Sequence, residues 1–287
     1  PLNPFELDVR EQPDEVVVTP RGEGALDLTT VEAFWKSWFG LDDTPVHDLF
    51  YGMIERFVRR FVIEDPAAFN AVTDRNILYL ANHQVAVESL LFSVLSGALA
   101  GRPTMTLAKI EHQTTWVGQL IAHSFAYPKM NDPEVIYFFD RNDRRALVQI
   151  LRKLGARMVS EERSMLVHIE GTRSLSCRTP VEQMASIFID MAIASDLPIV
   201  PVRFLGGLPT EELSQRTEFP VGMGTQDYWL GRPILPETLA AMGTKERKAL
   251  VIDSINRLGI TNAEEEPHAG DPEFASRVRS RLAEKNV

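Results

Sequence analysis

Three short blocks of this 287-residue chain combine residue types that could do chemistry together. The first is Asn82-His83-Gln84-Val85-Ala86-Val87-Glu88, directly after an apolar strand pattern and before a helical one. On a continuous helix, five residues at 100° each would set His83 and Glu88 about 140° apart, so they pair only if His83 sits in the turn. Glu88 then falls near the helix start, where the helix dipole favours a carboxylate. There it could accept a hydrogen bond from one imidazole nitrogen and leave the other free to take a proton, the arrangement of an oriented general base. The second block, Ile136-Tyr137-Phe138-Phe139-Asp140-Arg141, ends a strand pattern in an arginine whose fork of donors suits a phosphate. The third, Val167-His168-Ile169-Glu170-Gly171-Thr172-Arg173-Ser174, offers a glycine for close backbone approach and three side-chain donors for an anion. Taken singly, each block equally suits a structural role: a locally bonded strand-end histidine with a helix-start acid, an Asp-Arg pair capping a helix, a turn with a solvated arginine.

These blocks require elements that hold them at one edge. Short apolar, β-rich runs at Asn76–Ala81, Thr104–Ala108, Val135–Phe139, Met165–Ile169 and Leu197–Phe204 read as strands. Helical periodicity fills the gaps at Ser89–Ala98, Thr114–His123, Asn142–Met158 and Val181–Ala194. Such alternation predicts an α/β fold, a mixed and largely parallel central sheet flanked by helices. Before it, the aromatic spacing from Thr29 to Glu64 predicts two helices divided at Pro45, an N-terminal helical cap. Tyr228–Leu235 reads as a late strand and turn, and Ala249–Leu258 as a helix. The organisation expected is an extended lead-in or linker at 1–28, one domain at 29–260 with its α/β core at 76–235, and a C-terminal loop and helix at 261–287.

Composition narrows the functional classes. Forty acidic against thirty basic residues give a formal charge of −10, which argues against a nucleic-acid partner or general attraction to anionic lipid. One cysteine, Cys177, allows no internal disulfide and fits a reducing, cytoplasmic setting. The longest apolar run, Ser89–Gly101, is too short to span a bilayer, so the expectation is a soluble or peripherally membrane-associated protein. Beginning at Pro1 without a Met, the chain is expected to be processed, trimmed or excised from a longer one.

The order of the blocks is more specific than any one of them. His-x4-acid, Phe-x-Asp-Arg, Glu-Gly-Thr-Arg-Ser, then the Val-Pro-Val of Ile199–Val202 resembles the glycerolipid acyltransferase family, which includes glycerol-3-phosphate and 1-acylglycerol-3-phosphate O-acyltransferases. The resemblance runs from about Asn76 to Pro233 and includes Ala108-Lys109-Ile110-Glu111 with Gly118, and Leu230-Gly231-Arg232-Pro233-Ile234. Two positions depart from the family pattern: Glu88 stands where Asp is usual, and Ile169, after His168, where Pro usually precedes Glu-Gly-Thr-Arg.

The resemblance implies direct transfer of an acyl group from a thioester of acyl-carrier protein or coenzyme A to lysophosphatidate or glycerol 3-phosphate. His83 would be the general base held by Glu88, and Arg141, Arg173, Lys109 and the Glu170-Gly171-Thr172 turn would bind the acceptor phosphate. It implies no metal, redox cofactor or enzyme nucleophile. An acyl groove is expected along Leu90, Leu91, Val94 and Leu95 and the N-terminal helices, with His112 a candidate for the pocket wall. Trp35, Trp38 and Phe39 are candidate membrane anchors. Similar modules occur within bacterial polyunsaturated fatty acid synthases, where Arg141, Arg144, Arg145, Arg152 and Lys153 could meet an acidic carrier protein. Two other functions stay open at this point: a thioesterase-like release module, and a weakly active lipid- or carrier-binding domain.

Overall fold

Period-two alternation sorts the central strands between two apolar layers. In the strand Leu78–Ala81, Tyr79 and Ala81 join one buried cluster while Leu78 and Leu80 join the other. Ser164–His168 repeats the pattern, with Leu166 on the first side and Met165 and Val167 on the second. The computed structural model describes residues 8–9, 16–18, 28–42, 47–116, 118–120, 136–139, 144–177 and 179–259.

In chain order the strands are β1 (Asp8–Val9), β2 (Val16–Val18), β3 (Val58–Ile63), β4 (Leu78–Ala81), β5 (Thr104–Lys109), β6 (Ile136–Phe139), β7 (Ser164–His168), β8 (Ile199–Leu205) and β9 (Gln226–Leu230). The helices are α1 (Leu28–Phe39), α2 (His47–Phe57), α3 (Pro66–Asn70), α4 (Val87–Ala100), α5 (Arg144–Ser160), α6 (Ile187–Ala194), α7 (Pro236–Ala240) and α8 (Thr244–Arg257), with a 3-10 turn at Ile110–Thr114. Among the described residues the strands form one sheet in the order β1-β2-β3-β9-β8-β4-β7-β5-β6. The β4, β5, β6, β7 and β8 neighbours all run parallel, and only β1–β2, β2–β3 and β8–β9 are antiparallel. The expected mixed, largely parallel α/β sheet with flanking helices and an N-terminal helix is what the chain forms.

Helices cover both faces. Val31, Trp35 and Phe39 of α1 pack with α4 in the first cluster, while Leu151, Leu154 and Met158 of α5, Ile189 of α6 and Val251 and Ile255 of α8 form the second. Every residue of α4 is buried, including Glu88, Ser89, Ser93 and Ser96, so this helix lies between the sheet and the cap. Ser93 bonds Thr106 and Ser96 bonds Thr104, both at 3.0 Å, which satisfies the buried hydroxyls across to β5.

Several elements differ from the sequence reading, each for a physical reason. The second cap helix stops at Phe57, and Val58–Ile63 is a strand. Its β-branched Val58, Val62 and Ile63 pair in parallel with β9, and Asp227 takes ion pairs from Arg59 and Arg60. Part of the expected extended lead-in pairs as β1 and β2 and extends the β3 edge. The helix expected from Val181 starts only at Ile187, because the Asn256 side chain holds the Val181 N–H and C=O in two 2.8 Å bonds that compete with helix formation. Trp35 and Phe39 are not membrane anchors: both are buried and stacked, and the Trp35 indole donates to the Val94 carbonyl at 3.0 Å. The expected helix and loop at 261–287 lie outside the described residues.

Candidate active site

The turn after β4 is pinned on both sides of His83. Asn82 donates to the Phe204 carbonyl at 2.9 Å and accepts the Phe204 N–H at 2.7 Å, tying the end of β4 to β8. Gln84 donates to the Cys177 carbonyl at 2.7 Å and accepts the Gly207 N–H at 3.0 Å. Between these anchors His83 faces a cavity of about 440 Å³. Its own backbone joins the third block: the His83 N–H donates to Glu170 Oε2 at 3.2 Å, and the His83 carbonyl accepts the Ser174 N–H at 2.7 Å.

Glu88, in the first turn of α4, lies 2.8 Å from His83 Nδ1 through Oε1. The same carboxylate accepts the Gln84 N–H at 2.8 Å, the Val85 N–H at 3.2 Å and the Gln226 amide at 2.8 Å. Four donors converging on one buried carboxylate favour its ionised form. Burial works against them and pushes Glu88 up to about 7. His83 moves the opposite way: burial, then the charges of Arg173, His112 and Lys109, hold it well below its usual range. Facing a carboxylate oxygen that accepts, Nδ1 carries the imidazole hydrogen and donates it to Glu88. His83 Nε2 takes no hydrogen bond among the described residues, so its lone pair is available to a hydroxyl in the cavity.

The close approach of Gln226 depends on Gly207, where an added Cβ would lie 2.7 Å from the Gln226 amide nitrogen. The third block turns at Gly171, whose φ of +66° lies in the left-handed region, and the Gly171 N–H closes onto the His168 carbonyl at 3.1 Å. Arg173 donates to the Thr217 carbonyl at 2.5 Å and pairs with Glu218 at 3.1 Å, while Arg216 donates to the Arg173 carbonyl at 2.9 Å.

The cavity lining mixes two kinds of side chain. His83, Lys109, His112, Thr172, Arg173 and Arg216 contribute donors and positive charge. Leu107, Ile136, Phe138, Phe139, Val167, Ile169 and Phe188 contribute apolar surface. Glu170 is pushed up to about 7 by burial, and His112 is lowered by burial and by Arg173 and Lys109.

Eight of the twelve site residues named from sequence meet at one site, with Glu88 bonded to His83. The exceptions are informative. Of the expected groove residues, Leu90 lines the cavity, whereas Leu91, Val94 and Leu95 pack in the core against the cap and sheet. Arg141, Arg144, Arg145, His123 and His268, as side chains, lie outside the described residues. Arg152 and Lys153 are exposed on α5.

Sequence reasoning missed Gln226, Ser89, Gln84, Arg216 and the part played by His168. Gln226 lies 138 positions from Glu88, and nothing in its surroundings signals that contact. His168 could have been suspected from strand alternation, which puts it on the same face of β7 as Leu166, toward α4. Its ring stacks on His83 with centroids 3.7 Å apart and planes at 18°. Burial, then His83, drives His168 down to about 3.

His83, Glu88 and His168 have ligand-type atoms within 4.8 Å of one another, a spacing that a cation could use. Apart from His83 Nε2, their ligand atoms are already engaged: Glu88 by four donors, His168 Nε2 by Ser89, and the two Nδ1 atoms as N–H donors to Glu88 and the Asn82 carbonyl. A cation shared by all three residues would have to displace these hydrogen bonds at Glu88 and His168.

The His83–Glu88 pair thus opens on a cavity lined by both cationic and apolar side chains. Residues 61–205, just over half of the chain, match the family model described as Acyltransferase, and the chain belongs to that family. It is accordingly a transferase, acting between an acyl donor and a hydroxyl acceptor. A search of curated proteins finds no match to this chain.

Proposed function

We propose that this acyltransferase moves a fatty acyl group from an acyl thioester, on acyl-carrier protein or coenzyme A, to the free hydroxyl of lysophosphatidate or glycerol 3-phosphate. The observation that carries the reading is the His83 imidazole: Nδ1 is fixed on Glu88 at 2.8 Å, and Nε2 is left for a cavity lined by both cations and apolar side chains.

The acceptor hydroxyl gives its proton to His83 Nε2 as its oxygen attacks the thioester carbonyl carbon. The tetrahedral intermediate collapses with loss of the C–S bond, and the imidazolium returns the proton to the departing thiolate. Glu88 stabilises the imidazolium between the two steps and fixes the tautomer. Arg173 and Lys109, with Thr172 and the Gly171 turn, hold the acceptor phosphate; the same role is assigned to Arg141, which lies outside the described residues, on the family resemblance alone. Arg173 exchanges its Glu218 partner for the phosphate. Fixing the phosphate fixes the neighbouring hydroxyl against Nε2, a positioning gain of several kcal/mol. The acyl chain packs against the apolar lining from β6, β7 and α6, with Leu90 of α4.

The product is a lipid with either acceptor, so the enzyme works at a membrane surface. Among the described residues no helix is long and apolar enough to cross a membrane. Ile110, Trp116 and Leu120 are exposed apolar side chains close in sequence to His112, Thr115 and Gly118 of the cavity wall, and they suit peripheral contact.

The test supplies an acyl thioester with and without lysophosphatidate. Thiol release that depends on lysophosphatidate and matches phosphatidate formation supports the transferase. Equal thiol release without acceptor supports the hydrolytic, thioesterase-like alternative. Binding of both substrates without thiol release supports a lipid- or carrier-binding domain.

A further inference from the structure

His168 ends β7 opposite Ala81 of β4 in the parallel register, so the sheet delivers it to the level of the turn that carries His83. Near-parallel rings with centroids 3.7 Å apart touch over their faces, and the contact blocks rotation of either ring. His168 is itself locked. Its Nδ1 lies 2.6 Å from the Asn82 carbonyl, an atom that can only accept, so Nδ1 carries the hydrogen. Its Nε2 is then a lone pair and takes the Ser89 hydroxyl hydrogen across 2.7 Å. Phe204 closes the far side at 5.8 Å between centroids. The ring can neither turn nor gain a proton without losing one of these bonds.

We infer that His168 is a positioning residue for the base: its face clamps the His83 imidazole with Nδ1 on Glu88 and Nε2 toward the cavity. The inference rests on the reading of His83 as general base. A second constraint matters here because Glu88 has one more rotatable bond than an aspartate would, so the carboxylate alone fixes the ring less firmly. Gln226 holds the carboxylate end of the pair and His168 holds the imidazole end.

The experiment compares His168→Phe, which keeps a ring to stack, with His168→Gln, which keeps polar groups and lacks the ring. His168→Leu serves as a second ring-free variant, and thermal melts confirm folding. Steady-state kinetics are read beside the ring-nitrogen NMR spectrum of ¹⁵N-histidine-labelled free enzyme. In the wild type His83 shows one tautomer, protonated at Nδ1. In the ring-free variants it shows mixed tautomers, and kcat falls about 10- to 100-fold with both KM values within twofold, the cost of a misplaced base. His168→Phe restores the single tautomer and most of kcat. Equal kcat in the Phe, Gln and Leu variants, or an unchanged His83 spectrum in the ring-free ones, overturns the inference. The spectrum needs no substrate, so a clean NMR result with no acyl transfer from any thioester would refute the proposed reaction and leave the clamp standing.

Discussion

Glu88→Gln separates the charge of the orienting group from its shape. The wild-type carboxylate accepts from His83 and Gln84 on Oε1 and from Val85 and Gln226 on Oε2, at 2.8, 2.8, 3.2 and 2.8 Å. All four partners are donors, whereas an amide offers one oxygen and one NH2 group. If the amide oxygen faces His83, the Val85 N–H and the Gln226 amide meet a donor. If the NH2 faces His83, the imidazole must show it a lone pair at Nδ1 and carry its hydrogen on Nε2, where it is no longer a base. Bonds to a charged acceptor contribute about 1.5–3 kcal/mol and neutral ones about 0.5–1.5, so the variant should lose about 2–4 kcal/mol of stability. Loss of general-base catalysis should lower kcat by roughly 10²–10⁴ with little change in either KM. Continuous thiol release under saturating acceptor reads kcat, and urea unfolding reads stability. A Glu88→Gln enzyme that keeps more than a tenth of wild-type kcat would refute the orienting role. Glu88→Asp keeps the charge but withdraws it by one bond, about 1.5 Å. It cannot then reach both Gln226 and His83, and kcat should fall about 10- to 100-fold.

Arg173→Ala should raise KM for a phosphorylated acceptor by roughly 10- to 150-fold, the worth of a charge-assisted bond, and leave the donor KM unchanged; acceptor titrations at fixed thioester check it. Phe188→Ala should open space in the apolar lining and shift preference toward longer acyl thioesters, read by competition between chain lengths. Trp35→Ala removes a buried aromatic and its bond to the Val94 carbonyl and should cost about 3–5 kcal/mol in chemical unfolding, with KM values unchanged in the protein that remains folded. Burial pushes Glu170 up to about 7, so the folded chain keeps a proton that the unfolded chain has already lost. That group's contribution to stability therefore declines as pH rises from about 4.5 through 7. Glu170→Gln, whose carbonyl can still accept the His83 N–H, should gain stability relative to wild type across the same interval, as urea midpoints at pH 5 and pH 8 will show.

The sequence announced the fold where periodicity was long and local. Alternating apolar runs gave the parallel strands, and the histidine placed in a turn with its acid at a helix start is the geometry found. Legibility failed where distant pairing decides the outcome. Val58–Ile63 carries aromatic spacing that suits a helix, yet pairing with β9 and the Asp227 ion pairs make it a strand. Val181–Ser186 reads as helix until a side chain 75 positions away takes its backbone bonds. Leu91, Val94 and Leu95 follow the histidine in sequence, but α4 is buried on all sides, so most of its apolar residues meet core and not cavity. The stack of His168 on His83 is a consequence of register, Ala81 against His168, which one sequence does not reveal.

The central claim is that His83 takes the proton of the acceptor hydroxyl, and His83→Ala tests it most directly. Wild type and variant are given the same acyl thioester and lysophosphatidate, phosphatidate formation is followed, and acceptor binding is measured separately by calorimetry. The account predicts a loss of roughly 10²–10⁴ in turnover with acceptor affinity unchanged. Equal turnover in the two proteins, or loss of acceptor binding in place of turnover, would contradict it.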